Sequence, residues 1–161
     1  MKILICGHSR HGKDTFAEML GIPFQSSSEA AMDHAIWPTI GKDYETKEQC
    51  FADRVNRRAE WFRLIRDYNT PDESRLCRDI LSNNDIYVGL RSSAEFQACK
   101  HMFDMTIWVD ASMRLPPEPG DSNELNRNMF GLVVSNNGDL DALKRPAKWI
   151  SGILKSREQQ Q

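Results

Sequence analysis

The stretch Gly7-His8-Ser9-Arg10-His11-Gly12-Lys13-Asp14-Thr15 has residue types and spacing that specify a chemistry. Gly7 and Gly12 let the backbone curl so that successive amide N–H groups point inward at a bound phosphate. A helix beginning near Lys13 adds the positive end of its dipole. The Lys13 ammonium reaches the β- and γ-oxygens of a nucleoside triphosphate and offsets charge as a phosphoryl group leaves. The residue after the lysine is ordinarily Ser or Thr, ligating Mg²⁺. Here it is Asp14, itself a competent oxygen ligand for Mg²⁺, directly or through water. Thr15 is then left for the α-phosphate. ATP and Mg²⁺ are the expected cofactors, with all nine residues of the loop around the nucleotide and Lys13 catalytic.

Such a loop needs a buried strand before it and a helix after it. Lys2 to Cys6 is a short apolar run that reads as the strand. Lys13 to Leu20 carries Phe16, Met19 and Leu20 at helical spacing, and Gly21 suits a helix C-terminus. Ile22 to Gln25 reads as a second strand, followed by a helix opening in Ser26-Ser27-Ser28-Glu29 and ended by Pro38. Gly41 to Tyr44 reads as a loop. Thr46 to Tyr68 predicts one long helix with Phe51, Val55, Ala59, Phe62 and Ile65 on its apolar face, and Thr46 with Gln49 suits a capping box. A helix at 73–81, a strand at 86–89, a helix at 93–102 capped by Ser92 or Ser93, and a strand at 105–109 ending in Asp110 follow. Residues 111–128, rich in Pro, Gly, Ser and Asn, predict a long loop or lid. A last strand at 132–134 and a helix at 139–154 precede a frayed tail. Strands alternating with helices imply an α/β fold in three layers, a parallel sheet of about five strands flanked by helices, in one domain spanning 1–161.

Residues at the carboxyl ends of parallel strands face the ligand crevice. Arg91, after the strand at 86–89, is placed to contact a phosphate; a loop ion pair is the plainer alternative. Asp110 is placed to hold Mg²⁺ or to cap its strand. Ser26, Ser27 and Ser28 sit at the tip of the second strand, with Glu29 and Asp33 following where a general base for an acceptor hydroxyl would stand. Arg54, Arg57 and Arg58 with Trp61 form a basic helical stretch with an aromatic, suited to a phosphate and a base. The alternative is a solvated charged face with Trp61 in the core.

Length, composition and a formal charge of -2 describe an ordinary globular chain and exclude a uniformly basic surface, though not a local basic stripe. Cys6, Cys50, Cys77 and Cys99 form no CxxC pair and read as buried thiols of a reducing compartment. No apolar run is long enough to span a bilayer, and the chain opens directly into the strand and loop, so neither a membrane partner nor a signal peptide is expected.

Three segments together resemble a small group of phage P-loop kinases: Gly7 to Glu18, Asp53-Arg54 to Phe62, and Ile107-Trp108-Val109-Asp110-Ala111-Ser112. The run Gly12-Lys13-Asp14-Thr15 resembles the deoxynucleoside monophosphate kinases of tailed phages. Their Asp-Val-Arg at the third strand's end is matched here by Gly89-Leu90-Arg91, which keeps the arginine and not the aspartate. Within the group the chain looks like the 5-hydroxymethyluracil DNA kinases. That resemblance implies γ-phosphoryl transfer to the base hydroxymethyl group in DNA, with modified DNA as partner, in the cytoplasm of the infected host cell. It also implies a catalytic lid arginine, Arg114, as against an ordinary exposed side chain. The Asn136-Asn137-Gly138 turn would lie under the adenine, with Asn137 as its contact, or else merely start a helix capped by Asp139. Ser27, Arg54, Arg58 and Trp61 would bind the acceptor, and Asp33 would take its proton. The alternatives are a kinase of free deoxynucleoside monophosphates and a non-kinase ATPase or nucleotide switch. The last is disfavoured, because the chain shows no acidic strand end of the usual apolar-run type before a catalytic glutamate and no switch-like loop.

Overall fold

In the computed structural model the described residues are 1–118 and 122–158. The fold grows from β1 (Ile3–Cys6), every residue of which is buried. Side chains alternate across a strand. Ile3 and Ile5 therefore join one core with Phe16, Leu20, Leu143 and Ile150. Leu4 and Cys6 join the other with Tyr87, Phe96 and Trp108. The sheet is parallel throughout, in the order β2 (Phe24–Ser26), β3 (Ile86–Val88), β1, β4 (Met105–Asp110), β5 (Leu132–Ser135). Ile5 pairs with Val88 on one side and Ile107 on the other. The chain thus departs from β1 in both directions, and the crevice of a parallel sheet opens at the carboxyl end of such a strand. This is the three-layer α/β fold with a phosphate loop, as the residue pattern implies.

The helices are α1 (Lys13–Leu20), α2 (Ser27–Ala31), α3 (Trp37–Ile40), α4 (Lys47–Asp53), α5 (Arg58–Tyr68), α6 (Arg75–Asn83), α7 (Ser93–Cys99) and α8 (Leu140–Glu158). Gly21 closes α1 at φ 71°, Ser26 and Glu29 form a capping box on α2, and Ser92 caps α7. Asp139 Oδ1 accepts the Ala142 N–H at 2.8 Å, the cap expected of α8. All four cysteines are buried free thiols, and burial pushes Cys6 up to about 12.

Two expectations fail. Pro38 does not stop its helix: the chain widens into a π turn over Met32–Ile36, and Pro38 falls in the first turn of α3. Its missing N–H lies where the bonding register changes, so nothing is lost there. The long helix over 46–68 is broken at 54–57. Asp53 accepts from Asn56 Nδ2 at 2.8 Å and from Tyr44 Oη at 2.7 Å, and the backbone turns through Asn56 N–H to the Asp53 carbonyl. Short polar side chains compete in this way with the helical ladder. The supposed apolar face is consequently split: Val55 is 54% exposed, while Cys50, Trp61 and Leu64 are the buried residues. Thr46 does cap α4, but Gln49 returns its side chain to the Glu45 N–H rather than to Thr46.

Residues 111–118 and 122–131 connect β4 to β5 without a strand and with one 3₁₀ turn, Arg127–Met129. The expected lid at 111–128 includes 119–121, which lie outside the described residues.

Candidate functional site

The loop between β1 and α1 is shaped by what surrounds it. Gly7 has φ 149°, and a Cβ there would come within 2.4 Å of the Val109 carbonyl oxygen. Gly12 has φ 91°, and its Cβ would meet Asn136 Nδ2 at the same 2.4 Å. Arg10 also takes a positive φ, 65°, without being glycine. Asn136 Nδ2 donates to the His11 carbonyl at 2.9 Å, and His11 Nδ1 accepts the Ala111 N–H at 3.0 Å, so β4 and β5 clamp the loop from behind. Gly12 ends the loop as N-cap of α1 without a side-chain cap, which leaves the first amides of that helix to a ligand. Lys13 is buried, and its Nζ folds over the loop onto the His8 carbonyl at 2.8 Å. Burial, then Arg91, pulls its pKa below the usual lysine value. A group held so is poised to exchange one carbonyl for phosphate oxygens.

From this loop a cavity of about 350 Å³ runs between two walls. One wall is Ser26–Ser28 with the end of β3 and Arg91; the other is α4–α5 with Phe51, Arg54, Arg58 and Phe62. The break in the helix opens this second wall, since Arg54 lies in the turn. Its guanidinium sits 4.0 Å over the Phe51 ring, and Nη1 donates to the Phe51 carbonyl. Burial lowers its pKa, with Asp14 pulling the other way across the cavity. Ser27 Oγ donates to the Gly89 carbonyl at 2.9 Å. At the floor, Glu95 is 1% exposed and accepts from Tyr87 Oη at 2.8 Å; burial raises its pKa to about 7 against that bond.

The residue that sequence reasoning missed is Glu118. It lies in a Pro-rich connection whose composition reads only as loop. Its carboxylate is 4% exposed and gathers the Ser9 N–H at 2.8 Å, Arg58 at 2.9 Å, Arg91 at 2.7 Å and Asn123 Nδ2 at 3.3 Å. Its own N–H donates to His8 Nδ1 at 3.2 Å. Burial pushes this carboxyl up, but Arg91 and Lys13 outweigh it and hold it below the usual range.

The structure brings Lys13, Asp14, Ser9, Arg10, Ser27, Arg54, Arg58, Trp61 and Arg91 to one cavity. Thr15 and Asp14 are exposed on the first turn of α1. A single carboxylate there suits Mg²⁺, which keeps waters and leans on substrate phosphates. Other expected roles do not fit their places. Asp33 lies outside the cavity on the π turn, its side chain 64% exposed and paired with Lys47 at 2.5 Å. Glu29 is spent on its capping box. Trp61 is 4% exposed and stands edge-on to Phe51, so it supports the wall and has no free face for stacking. Arg57 turns away to Glu60, Asp43 and Tyr44. Arg114 donates from Nε to the Asn136 carbonyl at 2.6 Å, beside the β5 turn and outside the cavity lining. Asn137 accepts the Met113 N–H, and its neighbour Asn136 is the one touching the loop. Both Asp110 oxygens are engaged, by the Ser112 N–H and by Arg127. Among the described residues no cluster of metal-ligating side chains occurs, and no helix is long and apolar enough to cross a membrane.

No protein-family model and no curated protein matches this chain. Among solved structures, TT1252 from Thermus thermophilus superposes with a TM-score of 0.53 at 16% identity, over 96% of this chain and 97% of that one. Shikimate kinase from Bacteroides thetaiotaomicron gives 0.47 at 11% identity, over 96% and 98%. A sugar kinase from a Janibacter species gives 0.43 at 13%, over 92% and 93%. The first is a likeness of fold; the other two are looser still.

Proposed function

We propose that this chain is a P-loop kinase that transfers the γ-phosphoryl group of ATP to the hydroxyl of 5-hydroxymethyluracil in DNA. The observation that carries the kinase reading is the single cavity that begins at Lys13 and continues between Ser27 and Arg54. Donor and acceptor then share one space, as in-line transfer requires. Gly7–Thr15 would wrap the triphosphate, Asp14 would hold Mg²⁺, and the metal would neutralise charge on the β- and γ-oxygens when bound. Arg91 and Arg58 converge where the transferring group would pass, in the role the family resemblance implies for Arg114. Arg114 and Asn137 flank the β5 turn, on the side where the nucleotide base would lie.

The acceptor wall supports a flat ring between apolar side chains with cations at its edge. Phe51 and Phe62 are partly buried rather than sealed, and Arg66 lies 5.7 Å over the Phe62 ring. Arg63 and Arg66 are exposed along the same helix, suited to the backbone phosphates of a strand whose base has left the stack. A second reading is a kinase of free deoxynucleoside monophosphates, favoured by the small volume of the cavity and by Arg54 inside it. Labelled γ-phosphate offered with hydroxymethyluracil DNA, and separately with free monophosphates, at low and moderate salt, tests both. Label in the DNA that falls steeply with salt supports the first. Label only in monophosphates, with weak salt dependence, replaces it by the second. Label in neither, with ATP bound, removes both.

A further inference from the structure

The donors gathered on Glu118 define an anion seat. The Ser9 amide belongs to the phosphate loop, and Arg58 and Arg91 come from opposite walls of the cavity. The triad is built from the loop and the end of β3, both set by the sheet, and from α5, which packs on the π turn and α6. A carboxylate with two oxygens among an amide and two guanidiniums imitates one face of a phosphoryl group. Lys13 is close enough to lower its pKa. We propose that this seat is the site of the terminal phosphoryl group of a nucleoside triphosphate, and that Glu118 fills it as an internal stand-in which the γ-phosphate must displace. The inference rests on the kinase reading of the loop and deepens it.

The consequence is a specificity rule. Two anions cannot share the seat, since the ionised Glu118 would stand against a γ-phosphate with Arg58 and Arg91 already spent. A nucleoside diphosphate ends short of it and leaves Glu118 in place. Only the triphosphate therefore works against the stand-in, and its displacement frees both arginines for the transferring group. The link between Glu118 N–H and His8 Nδ1 is broken in the same event. Burial and the neighbouring His11 pull the His8 pKa down, keeping Nδ1 free to accept until then.

The experiment is calorimetric titration of the full chain with Mg²⁺, using ADP and a non-hydrolysable β,γ-imido analogue of ATP. Parent, Glu118→Gln and Glu118→Ala are compared. If the stand-in is seated most of the time, freeing the seat tightens the ATP analogue by about tenfold, while ADP stays within about twofold. Equal effects on both nucleotides, or no effect on either, would overturn the proposal and leave the loop assignment standing. Weaker binding of the analogue to both variants would also overturn it, making Glu118 a prop of the loop. Failure of the parent to bind ADP at all would instead remove the loop reading, and the stand-in with it. A second measurement needs no variant. The His8 imidazole nitrogen resonances should move when the parent takes the ATP analogue and hold still with ADP; a response to both alike contradicts the displacement.

Discussion

The phosphate loop and the arginine wall facing it are built by opposite means. The loop is a backbone device: Gly7, Gly12 and Arg10 hold positive φ values, and neighbours stand where a Cβ would go. The wall is a side-chain device, in which Arg54 lies in a turn and is aimed by a ring and a carbonyl, and Arg58 follows the turn and is aimed by the Glu118 carboxylate. A backbone cradle is fixed by sterics and tolerates little change, while aimed side chains can be exchanged one at a time. Donor recognition is therefore expected to be brittle, and acceptor recognition graded.

The largest effect should come from the cation that joins the two regions. Lys13→Ala should cost about 10²–10³ in turnover, the loss typical of one preorganised charge-stabilising donor. Its melting temperature should hold, because among the described residues the ammonium bonds only the His8 carbonyl of its own loop. Turnover within about tenfold of the parent would break the kinase reading. Next comes Gly12→Ala. The added methyl meets Asn136 Nδ2 at 2.4 Å, at a φ of 91° that L-residues rarely take. Strain on the order of 1–3 kcal/mol should weaken both ATP and ADP together, without touching acceptor binding. Selective loss of the acceptor would contradict the division between the two regions.

On the graded side, Arg54→Ala should raise the acceptor KM by about tenfold at unchanged ATP affinity, a typical loss for one charged hydrogen-bonding group. Arg63→Ala, on the exposed helix surface, should mainly flatten the salt dependence if DNA is the acceptor. Identical KM values and salt slopes in both variants and the parent would remove this wall from acceptor binding.

The contrast also explains what was legible in the residues. Gly7, Gly12, Lys13 and Gly21 carry their conformations in their chemistry, so the loop, α1 and its ends could be read directly. The buried strands followed from their apolar runs. The break at 54–57 was not legible, because helical spacing continues through it and the Asp53–Asn56 and Asp53–Tyr44 bonds are tertiary choices. Trp61 stands beside the arginines along the chain, but whether its ring faces core or cavity depends on Phe51 across the turn. Glu118 was invisible for a different reason. Apart from Asn123, five positions on, its partners lie 27 to 110 positions away in sequence, and no local pattern announces such a convergence.

The buried floor gives a prediction in stability. Glu95 has its pKa raised from the ordinary 4.5 to about 7. Between those values the folded chain keeps a proton that the unfolded chain has lost. Stability therefore falls as pH rises through this window, by on the order of 3 kcal/mol for this group. Tyr87 is the bonded neighbour, and Glu73 adds to the upward shift. Glu95→Gln should melt at the parent's temperature near pH 5 and several degrees above it at pH 8. Parallel melting curves across that range would mean that the carboxyl is not held protonated.

The smallest effect should be at Asp33, where sequence position suggested the proton acceptor and the fold says otherwise. Its π turn carries the side chain outward, so the carboxylate meets Lys47 at the surface and lines no part of the cavity. An exposed ion pair of this kind is worth about 0–1 kcal/mol. Asp33→Asn should accordingly leave turnover within about twofold of the parent and the melting temperature nearly unmoved. The same substitution on a true general base would cost about 10²–10⁴ in rate. A pH–rate profile of the variant separates the cases: an unchanged acid limb keeps Asp33 on the surface, and a lost limb returns it to the acceptor side of the site. The first outcome leaves the arginine wall with no carboxylate from α2 or the π turn facing the acceptor. Binding and alignment by Arg54, Arg58 and Arg91 would then carry that half of the reaction, as expected where a loose transition state asks little of a base.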